Sequence, residues 1–168
     1  MDAPAERARV RVLIVAPPGA ARDALADLVA ADPRLEPHTA DPADARDRLS
    51  AGGVGLVLAH AAADGVALAR LAHLRRRPVP AAVVADTPDV RAAVAAVRAG
   101  AADFFVIPED AERLRAFVST VAAAGGADSF RGVASRNPKM LELFELIRDV
   151  GPTAATVLIQ GETGTAAQ

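Results

Sequence analysis

The residues best suited by type and spacing to handle a phosphate are the last eight of the chain, Gly161, Glu162, Thr163, Gly164, Thr165, Ala166, Ala167 and Gln168. A nucleotide-cradling loop has the pattern G-x-x-x-x-G-K-[ST], in which the second glycine admits the phosphate to the backbone and the lysine supplies the cation for the terminal phosphates. Counting from Gly161 puts Ala166 and Ala167 at those two positions. Lys139 is the only lysine among the 168 residues, so no shift of alignment restores the missing cation. Gly161 to Thr165 can still form a backbone nest for an anion, but productive ATP binding and hydrolysis are not expected. As written, the polypeptide is not an enzyme.

Other single residues carry weaker signals. His60 ends an apolar run, and an imidazole there could accept a phosphoryl group or ligate a metal; the plainer reading is a polar residue at a strand end. His38 and His73 have no ligand-like spacing to it. Asp64-Gly65 reads as a turn. Arg75, Arg76 and Arg77 suggest either a nucleic-acid patch or a solvated helix C-terminus that complements the helix dipole, and the second explains them better.

Composition narrows the classes further. A formal charge of -2 gives no overall drive toward nucleic acid or an anionic membrane. The chain has no cysteine, which excludes disulfides and thiolate metal sites. No stretch approaches the roughly 20 apolar residues that span a bilayer, and the first eleven residues lack a signal-peptide core, so a cytoplasmic location and no membrane partner are expected. With 42 alanines and five phenylalanines, the core must be built from Val, Leu and small side chains.

The elements that must position these residues follow from apolar runs alternating with amphipathic segments. Strands are expected at Val10 to Val15, Leu35 to Thr39 (weakly), Val54 to Ala59, Ala81 to Ala85 and Phe104 to Ile107. The helix at Ala20 to Ala31 turns Leu25, Leu28 and Val29 inward. A second helix opens at Asp41 and Pro42 and ends near Gly52; a third covers Val66 to Arg76 and is closed by Pro78. Thr87 and Pro88 fit the N-cap and first position of a fourth, with Val90, Val94 and Val97 on one face and Gly100 as C-cap. Its valines, with Phe104 and Leu114, read mostly as core. The fifth, Asp110 to Ala123, places Leu114, Phe117, Val118 and Val121 at i, i+3, i+4 and i+7. Beyond Gly125 and Gly126, Asn137 and Pro138 open a helix with Met140, Leu143, Phe144 and Ile147 on its stripe, and Thr156 to Gln160 form a strand feeding the terminal loop.

Residues 130 to 165, which contain Ala155-Thr-Val-Leu-Ile-Gln-Gly-Glu-Thr-Gly-Thr165, closely resemble the opening of the AAA+ domain of sigma-54-dependent transcriptional activators. Residues 9 to 123 resemble the response-regulator receiver domain that commonly precedes that ATPase, with Arg98-Ala-Gly-Ala-Ala-Asp-Phe104 matching the segment before its fifth strand. The resemblance implies an α/β fold, a five-stranded doubly wound parallel sheet of order 2-1-3-4-5, followed by an incomplete helix-strand AAA+ fragment. It divides the chain into a pseudo-receiver at 9-123, a linker at 124-130 and a truncated AAA+ segment at 131-168. That last piece lacks the neighbouring strands of a complete sheet and is expected to dock loosely or be disordered.

A receiver of this family takes phosphate on an aspartate after strand three, with magnesium held by acidic residues after strand one, a Ser/Thr after strand four and a Lys-Pro pair after strand five. Threaded by its strands, this sequence has Ala16 and Pro17 at the acidic pair, His60 at the acceptor, Ala85 at the hydroxyl and Ile107 at the lysine. Every reactive group is missing, although Pro108 is kept and a cis peptide before it is implied. The acceptor loop is also about three residues shorter than usual.

The resemblance therefore implies a regulatory piece that takes no phosphoryl group and signals through protein contacts, including a homodimer through the helix 4 to helix 5 face. ATP and magnesium would serve a complete family member, as would DNA and sigma-54 polymerase as partners. Two alternatives stay open: an intact ATPase whose sequence is artefactually cut at the loop, and a free-standing pseudo-receiver adaptor.

Overall fold

The computed structural model describes residues 9–125, 129–130 and 133–134. Five strands form one parallel sheet in the order β2-β1-β3-β4-β5: β1 Val10–Val15, β2 Leu35–Ala40, β3 Leu56–His60, β4 Ala81–Ala85 and β5 Asp103–Val106. Between and after them run α1 Ala20–Ala30, α2 Pro42–Ala51, α3 Gly65–His73, α4 Val90–Arg98 and α5 Ala111–Ala124. The expected sheet order is the observed one. β3 and β4 are buried along their whole length and β1 everywhere but at Arg11, which is why their apolar residues run on rather than alternate with polar ones.

Alternate residues feed two cores. Leu13, Val15, Val57 and Val83 meet α2, α3 and α4 through Leu49, Leu68 and Ala96. On the other face, Val12, Ile14, Leu58 and Val84 meet α1 and α5 through Leu25, Val29, Leu114 and Val118. The helix ends follow local chemistry. Asp41 caps α2 by accepting from the Asp44 amide at 2.9 Å with Pro42 just inside, and Gly125, in the left-handed region at φ 81°, closes α5.

Several expectations need correction. The cap of α4 is Asp89 rather than Thr87: its carboxylate accepts from the amides of Arg91 (2.8 Å) and Ala92 (3.0 Å), satisfying two orphan donors of the first turn, so Pro88 lies outside the helix. The face of α4 that meets the sheet belongs to Ala96, while Val90, Val94 and Val97 are 79%, 45% and 61% exposed. Leu114 is core as expected and Phe104 is half-buried. Helix α3 stops at His73, so Arg75 to Arg77 follow the helix rather than end it. His73 packs against Gly100, where a Cβ would collide with its ring.

A cis peptide joins Ile107 to Pro108. The turn that contains it is tied on both sides by Asp110, whose Oδ2 accepts from the Val106 amide (2.8 Å) and whose Oδ1 accepts from Arg113 (2.7 Å). Arg113 also reaches Asp103 at 3.1 Å and lies 5.2 Å from the centre of the Phe105 ring. The Val106 amide, and then Arg113, hold the Asp110 carboxyl below its ordinary range. A folded-state pKa below the unfolded one adds stability that is full above the unfolded value, roughly 3.9, and is lost as pH falls through the folded one. Asp110→Asn is therefore expected to lower the thermal midpoint at pH 7 and to narrow its gap to the parent near pH 2 to 3. Melting curves at both pH values check this.

Ser129–Phe130 (β6) and Val133–Ala134 (β7) pair antiparallel, a short hairpin the sequence did not announce. It belongs to the first of two units into which the chain divides, Met1–Ser135, and straddles the boundary expected at residue 130. The helix expected from Asn137, the strand at 156–160, the loop of Gly161 to Ala167 and the expected loose docking all lie outside the described residues.

Candidate functional site at the carboxyl end of the sheet

Open α/β sheets place their sites where the strands end, because the loops there diverge and leave room for a ligand. The register brings the expected positions to that one end. Val15 pairs with Ala59, His60 with Val84, and Ala85 with Val106, so Ala16, His60, Ala85 and Ile107 cap adjoining strands. Ala16 and Ala85 are buried, Pro17 is exposed and Ile107 is half-buried, donating its amide to the Ala85 carbonyl at 2.9 Å.

His60 is the single buried polar or charged residue among those described, 3% exposed. Its Nδ1 accepts from the Ala62 amide at 3.1 Å and so caps the 3-10 turn Ala61–Ala63. Accepting there requires the lone pair, which leaves the proton of the neutral ring on Nε2. Nε2 lies 3.3 Å from Oδ1 of Asp86, close enough for attraction but off the line of a hydrogen bond. The Nδ1 lone pair is thus occupied as the cap of that turn.

Asp64 takes the left-handed conformation, φ 57° and ψ 26°, between that turn and α3. Its carboxylate bonds Arg46 of α2 at 2.8 Å, so the turn reading of Asp64-Gly65 holds. The next residue, Gly65, is packed so tightly that a Cβ would sit 2.7 Å from the His60 carbonyl oxygen.

Two residues at this end escaped sequence reasoning. Arg22, from the first turn of α1, donates Nε to the Ala16 carbonyl at 2.8 Å and also reaches it through Nη2. Asp86 follows β4 and faces His60. Only the position of Asp86, one residue beyond a buried strand, was a usable signal.

Magnesium needs several hard oxygen ligands. At the ends of β1, β3, β4 and β5 the side chains are Ala16, Pro17, His60, Ala85 and Ile107, with Asp86 as the neighbouring carboxylate. Among the described residues no group of three His, Cys, Asp or Glu is placed to hold a metal ion. The residues present do not fit the ion a receiver site would use. Among the same residues, no helix is long and apolar enough to cross a membrane.

No protein-family model matches the chain. It is 30% identical over 129 residues to the transcriptional regulatory protein FlbD of Caulobacter vibrioides, covering 76% of this chain and 27% of that protein. The chain thus spans about a quarter of that relative's length. Among solved structures it resembles the signal receiver domain of NarL from Mycobacterium tuberculosis, with a TM-score of 0.60, 16% identity, and 69% of this chain and 98% of that one covered. It also resembles NtrX from Brucella abortus, crystallised with ADP, with a TM-score of 0.64, 22% identity, and 89% and 31% covered. The fold is that of a response-regulator receiver domain, and the sequence is related to transcriptional regulatory proteins.

Proposed function

We propose that this chain is the regulatory receiver module of a sigma-54-dependent type of transcriptional regulator, one that accepts no phosphoryl group and works through protein contacts. The observation that carries the reading is the set of side chains at the strand ends of a receiver fold. Ala16, Pro17, Ala85 and Ile107 offer neither a metal ligand nor a hydroxyl nor a cation, and His60 is buried with its Nδ1 lone pair taken by the Ala62 amide. ATP and magnesium, DNA and sigma-54 polymerase belong to a complete regulator in this reading, not to the module. The loop of Gly161 to Ala167, lacking its second glycine and its lysine, adds no nucleotide chemistry.

The valines of α4 supply the contact surface. Three branched apolar side chains at i, i+4 and i+7 stand out in solvent on one helix, while alanine faces the core. Their partner is a second copy, through the α4 to α5 face. The test is sedimentation equilibrium of the parent and of a Val94→Asp/Val97→Asp double variant. The parent should associate as concentration rises, and the variant should stay monomeric with its melting midpoint changed little, since exposed sites contribute within about 0.5 kcal/mol each. A parent that is monomeric throughout, or a variant that associates equally well, contradicts this partner.

A further inference from the structure

At the opposite end of the sheet, the side chains around a small pocket carry an unbalanced charge. The register pairs Arg11 with Glu36 and Leu13 with His38, so Arg11 and His38 share the face of the sheet that α2 covers. The last turn of α2 brings Arg48 to the same place, and Gly52 and Gly53 close the rim. The pocket they line measures about 130 Å³, the volume of roughly four waters. A five-atom tetrahedral oxyanion fits such a space.

Three nitrogen-bearing side chains line it: Arg11 and Arg48 reach it from solvent, and His38 presents a shielded nitrogen without a hydrogen bond. Arg48 has no ion pair or side-chain hydrogen bond among the described residues. Arg11 is only 4.0 Å from Glu36, at the outer limit of an ion pair. His38 Nε2 is shielded from solvent and makes no hydrogen bond, although Glu36 Oε1 lies 3.2 Å away at a poor angle. The opposing charges are Glu36 and the carbonyl end of α2, worth about half an electron. Two guanidinium groups exceed them, so the balance is positive even with a neutral imidazole.

We propose that this pocket binds a phosphate-type oxyanion, held by the Arg11 and Arg48 guanidinium groups and by His38 Nε2. Guanidinium matches phosphate geometry in bidentate fashion, and such charge-assisted bonds are the strong class. Glu36 is a competitor for both Arg11 and His38. Being half-exposed, it can turn outward as the anion enters. An anion seated here links β1, β2 and α2, far from the carboxyl end where a receiver's chemistry takes place.

The full chain would be titrated with inorganic phosphate and, separately, with glycerol 3-phosphate, at constant ionic strength, following the amide NMR signals of His38, Gly52 and Gly53. Saturable shifts confined to these residues are expected. Arg48→Gln should weaken binding about tenfold, the loss of one charge-assisted pair, and Glu36→Gln should strengthen it several-fold by removing the competitor. Arg91→Gln, on the exposed face of α4, should change nothing. Tighter binding of the ester assigns the site to a phosphomonoester, and tighter binding of inorganic phosphate assigns it to the free anion. Shifts that do not saturate, or equal affinity in the Arg48 and Arg91 variants, overturn the proposal.

Discussion

Replacing Phe105 with alanine is expected to remove about 3–5 kcal/mol of folding stability, as deletion of a fully buried aromatic ring generally does. The ring is 1% exposed and sits where β5 meets α5. It lies 5.6 Å from the Phe117 ring, centre to centre, tilted by 46°, and beneath the Arg113 guanidinium. Truncation forfeits the transfer energy of the ring, leaves a cavity under α5, and frees Arg113 from one of its contacts. Against a domain stability of about 5–15 kcal/mol this is a large fraction, so the urea midpoint should fall steeply while the slope of the transition stays near that of the parent. Phe105→Leu should cost less than half as much, because it keeps most of the volume. Equal midpoints for parent and alanine variant would show that β5 is not held through this ring.

The second large effect is expected at Gly65. Its backbone has no need of left-handed freedom, and what forbids a side chain is space. A Cβ would approach the carbonyl oxygens of His60 and Ala59 at 2.7 and 2.9 Å, and the His60 carbonyl carbon at 2.9 Å. All three are backbone atoms of a central strand, so α3 would have to lift away from β3. Overpacking of this kind costs about 1–3 kcal/mol or more, which outweighs the helix-propensity gain of alanine over glycine, about 1 kcal/mol at most at a first helical position. Gly65→Ala should therefore melt well below the parent and broaden the amide signals of residues 60 to 66. A variant as stable as the parent would mean that the close approach of α3 to the end of β3 is not a feature of the native state.

These two sites also mark what the sequence disclosed and what it hid. β1 and β4 were legible to the residue, because a strand buried on both faces leaves a run of apolar residues, complete in β4 and broken in β1 only by exposed Arg11. β2 is longer than its sequence suggested: it is an edge strand with half-exposed Glu36, Pro37 and His38, and its pairing to β1 rather than its composition carries it to Ala40. α4 was misread because both of its faces are apolar. Periodicity locates a valine stripe but does not say that the tighter contact, helix against sheet, selects alanine. Its start was misread because Pro88 suits a first helical position, whereas the carboxylate of Asp89 captures two amides one residue later.

The location of the candidate site was legible, since strand ends place Ala16, His60, Ala85 and Ile107 together without knowledge of any contact. The capping of the turn by His60 through the Ala62 amide, the approach of Asp86 to His60, and the hold of Arg22 on the Ala16 carbonyl depend on loop geometry that spacing alone does not encode.

Incubation of the full chain with acetyl phosphate and magnesium, followed by intact-mass analysis and acid and hydroxylamine treatment, tests the central claim most directly. The proposed function predicts an unchanged mass with no labile label. Stoichiometric addition of one phosphoryl group at Asp64, Asp86 or His60 would contradict it.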